Sequence, residues 1–114
     1  MTPFDIVLVP FPFADLSTAK QRPCLVLASL KPKGLSEHVI VAMMTSHLRG
    51  VSFPSDVVLT DWQKAGLPKP TLARLAKVVT LDKRLIKRKL GHLLKIDQQI
   101  VTMKFTELFS SILA

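Results

Sequence analysis

Residues 5–29 read DIVLVPFPFADLSTAKQRPCLVLAS, two short apolar runs that enclose a mixed segment. The runs DIVLV (5–9) and CLVLA (24–28) are short, rich in β-branched or other apolar residues and bounded by prolines, which is typical of buried strands. The segment between them combines aromatic with small polar residues, which favours a surface loop over a helix. We therefore expect a strand–loop–strand unit at the start of the chain, with the loop as a place for functional residues.

Three further apolar runs predict strands in the middle of the chain. They are VIVAMMT (39–45), SDVVL (55–59) and LARLAKVVTL (72–81). KPKGLSEH (31–38) is typical of a turn, and a short helical turn is predicted from Asp61 to the glycine of WQKAG. These segments describe a run of short strands with compact connections.

The end of the chain has a different pattern. From Asp97, the segment DQQIVTMKFTELFSSIL places apolar residues at helical spacing, which predicts an amphipathic helix with Asp97 as its N-cap. Strands followed by a helix predict one α+β domain over residues 1–114, built on a strongly bent sheet or barrel. The apolar stripe of this helix is expected to contact the core or a second subunit.

The charge balance points to an acidic partner. Sixteen Lys and Arg against eight Asp and Glu give a formal net charge of +8, and such an excess attracts polyanions. The partner could be RNA, DNA, an acidic protein or a membrane surface on charge alone. The cations of residues 83–95 form either an RNA-steering surface or a solvated face.

The cysteine count and the apolar runs suggest the compartment. Cys24 is the single cysteine, so an intramolecular disulfide and a cysteine-based zinc site are excluded, and a buried inert thiol is expected. The three histidines lack the spacing of metal ligands, so neither a metal nor another cofactor is predicted. The first residues do not have the pattern of an export signal, and no apolar run reaches the length that spans a bilayer. We expect a cytoplasmic protein without membrane contact.

Four motifs in order resemble the MazF/PemK toxins of type II toxin–antitoxin systems. They are the opening DIVLVPFPFADLS, QRPCLVLAS with Arg22 before Pro23, MMTS with Thr45 and Ser46, and LARLAKVVTLD before KLGHL. The resemblance implies an SH3-like β-barrel of the MazF/PemK/CcdB type with a C-terminal helix. It also implies a homodimer that cuts single-stranded RNA at short sequences without a metal and is neutralised by a cognate antitoxin.

The resemblance also suggests the site. Arg22, Thr45 and Arg74 match family positions and are the catalytic candidates. The RNA-binding candidates are Ser46, His47, Asp15, Phe13 and Lys77. Some relatives carry an aspartate two residues after the later arginine, where this chain has Ala76.

The chemistry of RNA cleavage is compatible with these residue types. Attack by a 2′-hydroxyl needs a proton acceptor, a proton donor and cations that stabilise the charged phosphorane. Arg22 and Arg74 can each hold two phosphate oxygens, and hydroxyl groups can donate to phosphate or base. His47 and Asp15 are the candidates for proton transfer.

Each candidate also has a structural interpretation. Thr45 and Ser46 could bond their own backbone at a strand end, Arg74 could lie on a solvated strand face, and His47 could be an ordinary surface residue. Asp15 could form a turn. Two other functions also stay open, a topoisomerase inhibitor on the same barrel and a nucleic-acid-binding module without catalysis.

Overall fold

Antiparallel strands followed by helices make up the computed structural model, which describes residues 1–10 and 21–113. The strands are β1 (Asp5–Pro10), β2 (Gln21–Leu30), β3 (His38–Thr45), β4 (Asp56–Val58), β5 (Leu72–Asp82) and β6 (Arg88–His92). A 3₁₀ turn (Lys83–Leu85) precedes β6, and the helices are α1 (Lys95–Leu108) and α2 (Ser110–Leu113). The five predicted strands and the C-terminal helix are confirmed.

The strands form one six-stranded sheet in the order β4-β5-β3-β2-β1-β6. Every neighbouring pair is antiparallel. The edges are β4 and β6, and no ladder joins them among the described residues. The α+β class is therefore established, while closure of the sheet into an SH3-like barrel stays a prediction.

Both faces of the central strands are buried. Ile6, Leu25 and Met44 face one apolar cluster, which α1 covers with Val101, while Val7 and Val26 belong to a second cluster on the opposite side. Because successive side chains of a strand point to opposite faces, burial of both faces requires continuous apolar runs rather than alternation. This explains why DIVLV and CLVLA are apolar at every position except Asp5.

A register shift bends β5. Val78 pairs with Ala42 of β3, but the next pair along is Arg74 with Met43, so residues 75–77 lie outside the ladder. An irregularity of this kind increases local twist and re-aims the following side chains. The two halves of β5 therefore serve different parts of the fold, with Leu75 in the main core and Val79 beside the second cluster.

The start of α1 differs from the prediction. The helix begins at Lys95 with Leu94 at the N-cap position, and Asp97 lies inside the first turn. The Asp97 carboxylate is fully buried and accepts hydrogen bonds from the backbone N–H groups of Thr60, at 3.0 and 3.1 Å, and of Asp61, at 3.0 Å. The prediction that Asp97 caps its own helix was therefore wrong, because the carboxylate holds a distant segment.

The segment from Asp61 to Gly66 is a set of turns rather than a helix. Ala65 N–H donates to Asp61 O at 3.1 Å, and Gly66 has the positive φ of +95° that suits a glycine at the end of a helical turn. The expected turn and its terminal glycine are confirmed in this form. Ala65 of this segment and Leu67, which directly follows it, are buried in the main core.

The C-terminal end leaves apolar surface exposed. Val101 is buried and Phe105 packs on the core, whereas Ile112 and Leu113 are 77% and 70% exposed. The predicted core contact thus holds for the first turns of the helix. None of the helices in the described part of the chain is long and apolar enough to cross a membrane.

A buried carboxylate fastens β6 to β1. Asp5 is 3% exposed and accepts from the Thr2 N–H at 3.0 Å, while Lys89 Nζ at 3.1 Å and His92 Nδ1 at 2.8 Å approach its other oxygen. Burial by itself raises the pKa of Asp5, but these hydrogen bonds outweigh it and hold the pKa at about 2. The edge strand β6 is thereby fixed at one end.

Candidate functional site

A cavity of about 760 Å³ lies at one end of the sheet. Antiparallel pairing explains its position, since the end of β1, the start of β2, the end of β3 and the start of β6 meet at the same edge. The remaining wall comes from the segment that precedes β5, through residues 66–69 and Thr71. The polar and charged lining consists of Gln21, Arg22, Thr45, Ser46, His47, Lys69, Thr71 and Arg88.

Four of the predicted site residues meet here. Arg22 of β2 lines the cavity with Thr45, Ser46 and His47, although these three residues follow the arginine by 23 to 25 positions in the sequence. Strand pairing brings them together, because β2 and β3 are neighbours in the sheet. The arginine–hydroxyl combination expected from the sequence is therefore a feature of the fold.

Thr45 has an oriented hydroxyl group. The backbone N–H of His47 donates to Thr45 Oγ1 at 3.0 Å. A hydroxyl that accepts this bond keeps its own hydrogen for donation. The structural interpretation of Thr45, a hydrogen bond to the local backbone at the strand end, is therefore confirmed. This bond leaves the Thr45 hydroxyl hydrogen available for donation into the cavity.

The cavity is cationic. Arg22, Lys69 and Arg88 are exposed side chains of its lining, and none of the described lining residues is acidic. Charges of one sign in a cleft raise the local concentration of an oppositely charged ligand. The described residues hold no group of three or more His, Cys, Asp or Glu arranged to bind a metal ion. The cavity is thus suited to a polyanion.

Arg74 lies outside this cavity in an ion pair. Its Nε and Nη2 donate to Asp56 at 3.1 and 3.0 Å, and Nη2 also donates to Val51 O at 2.6 Å. The guanidinium stacks on Phe53, with 4.7 Å from Cζ to the ring centroid. These contacts fix residues 51–56 against β5, and they favour a structural role. The catalytic role remains a prediction.

A double-mutant cycle separates these two roles of Arg74. Because both side chains of the pair are mostly buried, we expect Arg74→Ala and Asp56→Ala each to lower the free energy of unfolding by about 2–3 kcal/mol. The double variant should lose little more than either single variant, which corresponds to a coupling of about 2–3 kcal/mol. Urea denaturation measures this. A normal cleavage rate in Asp56→Ala with a large loss in folded Arg74→Ala would instead support the catalytic role.

The remaining predicted site residues fall into two groups. One lies away from the cavity, and the other lies outside the described residues. Lys77 lies over the Phe53 ring at 5.6 Å from the centroid, beside the Arg74 pair. Ala76 is exposed in the β5 irregularity and likewise does not contribute to the cavity. Asp15 and Phe13 lie outside the described residues. Their roles, and that of Lys77, stay predictions.

Two cavity cations were not singled out from the sequence. Lys69 stands between two prolines in LPKP, shortly before a predicted strand. Nothing in this sequence context indicates that the lysine binds a ligand. Arg88 was one of several cations in residues 83–95. The pairing of Arg88 with Leu8, a residue of the cavity wall, is what distinguishes it.

A close contact between two glycines positions the wall that carries Lys69. A Cβ atom at Gly91 would lie 1.9 Å from Ala65 O, and one at Gly66 would lie 2.3 Å from Leu90 O. Both neighbours are backbone atoms, so a side chain at either position must push the wall away from β6. The glycines therefore set the width of the cavity.

Gly91→Ala is expected to disturb both stability and the site. Overpacking of this kind costs about 1–3 kcal/mol, and the displaced wall should weaken binding in the cavity. Thermal unfolding and RNA affinity measure the two effects. Gly34→Ala is the control for adding a methyl group, because its Cβ would meet nothing within 4 Å, although its φ of +82° carries a small strain of its own. Equal losses in the two variants would contradict the proposed contact.

The fold and site define a small basic α+β domain whose strand ends enclose a cationic, hydroxyl-bearing cleft. A family model supplies the more specific identification. The chain belongs to the PemK-like, MazF-like toxins of type II toxin–antitoxin systems, whose model matches residues 2–109. The suspected resemblance is thereby confirmed at family level.

Solved structures share this fold. The Mycobacterium tuberculosis toxin MazF-mt6 is 21% identical with a TM-score of 0.65, covering 96% of this chain and 97% of that one. MazF from Deinococcus radiodurans is 23% identical with a TM-score of 0.67 and 96% of both chains covered. A mycobacterial endoribonuclease solved with its cognate antitoxin is 11% identical with a TM-score of 0.72, covering 96% and 95%. A comparison with curated protein sequences finds no match.

Proposed function

We propose that this toxin is a sequence-specific endoribonuclease that cuts single-stranded RNA, and thereby inhibits translation and growth, without a metal ion. The observation that carries the proposal is the cavity that unites Arg22 and Thr45 with other cations and no acidic lining residue among those described. Family membership and the mycobacterial endoribonuclease with the same fold support it.

The proposed reaction needs no nucleophile from the protein. The 2′-oxygen of a ribose attacks the adjacent phosphorus while the bond from phosphorus to the 5′-oxygen breaks. The 2′-hydroxyl proton passes to a base, and the departing 5′-oxygen takes up a proton. The products are a 2′,3′-cyclic phosphate and a free 5′-hydroxyl.

The cavity residues divide these tasks. Arg22 holds the non-bridging phosphate oxygens through its planar guanidinium and stabilises the phosphorane. Thr45 donates its hydroxyl hydrogen to the same phosphate, and Ser46 contacts RNA beside it. His47, which also lines the cavity, is the candidate for proton transfer. Asp15 and Phe13 complete the candidate set from the sequence, as a base and a stacking residue.

We also propose a cognate antitoxin as partner and a homodimer as the active form. Structures of related fold include a mycobacterial endoribonuclease with its cognate antitoxin and MazE–MazF from Deinococcus radiodurans. The exposed apolar residues of α2 offer a surface for such contacts. A protein with these partners is expected to act in the cytoplasm.

Purified protein incubated in EDTA with a long single-stranded RNA tests the function. We expect discrete cuts at one short sequence, each leaving a cyclic phosphate and a 5′-hydroxyl. Intact RNA would favour a binding-only module or an inhibitor of a topoisomerase on the same scaffold. Binding of labelled RNA and a DNA supercoiling assay then distinguish these two.

A further inference from the structure

We propose that Arg88 and Lys69 form a second phosphate subsite in the cavity, which holds an RNA backbone phosphate next to the one bound by Arg22. The inference rests on the proposed function, since it assumes that RNA enters this cavity. It adds binding residues, on β6 and on the segment before β5, to a site otherwise built from β2 and β3.

The sheet separates the two subsites. β1 lies between β2 and β6, and Leu8 of β1 pairs with Pro23 on one side and with Arg88 on the other. Neighbouring strands are about 4.8 Å apart, so the backbones of β2 and β6 are about 10 Å apart. Arginines that start from strands this far apart are placed to bind different phosphates of one chain.

Arg88 differs from the cations around it in its partners. Lys89 reaches Asp5 at 3.1 Å, Arg84 pairs with Asp82 at 2.8 Å, and Lys83 lies 3.6 Å from Glu37. Within the described residues, Arg88 has no carboxylate within ion-pair distance, although its neighbours do. Its charge is therefore available to a ligand of the cavity.

Lys69 belongs to the wall that precedes β5 and packs against β6. The Thr71 hydroxyl donates to Lys69 O at 2.8 Å, and Thr71 is 2% exposed. The close contact of Gly66 with Leu90 and Gly91 fixes the same wall against β6. A cation on a fixed backbone loses less freedom when a ligand binds, which favours affinity.

The test measures binding to a 2′-O-methyl single-stranded RNA, which lacks the attacking hydroxyl and stays intact. The affinities of the wild type, Arg88→Ala, Lys69→Ala and Lys87→Ala are determined over a range of KCl concentrations. Lys87 is the matched control because it adjoins Arg88, is exposed and does not line the cavity. Circular dichroism checks that each variant is folded.

We expect Arg88→Ala and Lys69→Ala each to weaken binding by about tenfold. Each should also reduce the slope of log affinity against log salt by about 0.7, the value for one lost phosphate contact on a single strand. Arg88→Lys should keep the slope, because it keeps the charge. A merely structural role would lower affinity without this change in slope.

Two results would overturn the proposal, and they are distinguishable. If the wild type cuts and binds RNA but Arg88→Ala and Lys69→Ala behave like Lys87→Ala, the second subsite is wrong while the proposed function stands. If the wild type neither binds nor cuts RNA, both fail. A slope change confined to the two cavity variants supports the subsite.

Discussion

Arg22→Ala is expected to reduce RNA cleavage by about 100-fold or more, which is the usual effect of removing a group that stabilises an oxyanionic transition state. Arg22 is an exposed residue at the start of β2 and lines the cavity beside Thr45. Its loss should therefore leave the fold intact while removing a cation that lines the cavity together with Thr45 and Ser46. Single-turnover cleavage of a short RNA measures the rate.

Lys33→Ala is the control for this variant. Lys33 is exposed in the connection between β2 and β3, at the opposite end of these strands from Arg22. Both substitutions remove one positive charge, so a general effect of net charge on RNA binding should appear equally in the two. If Arg22→Ala cleaves at the rate of Lys33→Ala, the assignment of Arg22 is wrong.

Asp97→Ala is expected to lower the free energy of unfolding by about 3–4 kcal/mol, because several hydrogen bonds to one buried carboxylate are lost together. The carboxylate is fully buried and binds the backbone of Thr60 and Asp61. It thus joins α1 to the segment that follows β4. Asp97→Asn should lose less, since one oxygen remains to accept.

Glu107→Ala is the matched control on the same helix. Glu107 is exposed and lies 3.9 Å from Lys104, so its removal should change stability by less than about 0.5 kcal/mol. Urea denaturation of the three variants compares them. Equal stabilities of Asp97→Ala and Glu107→Ala would mean that the carboxylate contributes little to joining these segments.

The sequence predicts the elements whose signal is local. DIVLV and CLVLA could be identified as strands because burial on both faces leaves no polar residue in either run except Asp5. The last strand could not be predicted. β6 reads RKLGH, and its exposed cations give no sign that it pairs with β1. An edge strand with a charged outer side carries little periodic signal.

The same limit applies to side chains with distant partners. Asp97 has the sequence context of an N-cap, and nothing near it indicates Thr60 as its partner. Arg74 has the context of a strand residue, and its pair with Asp56 across β4 and β5 becomes visible only in the fold. By contrast, Arg22 and Thr45 could be selected together, since the family motifs mark both.

The state of the thiol could be predicted from its neighbours in the sequence, since Cys24 lies between Pro23 and an apolar run. Cys24 is fully buried in the second cluster, and burial raises its pKa to about 12. A thiol in this state is not a nucleophile near neutral pH. The expected inert cysteine is confirmed.

The most direct test of the proposed ribonuclease activity compares two RNAs that differ in one atom. Once the cut site is mapped, the wild type is incubated in EDTA with the all-ribose substrate and with one whose ribose on the 5′ side of the cut is 2′-deoxy. We expect cleavage of the first to a 2′,3′-cyclic phosphate and binding without cleavage of the second. Cleavage of both at equal rates, or of neither, would contradict this expectation.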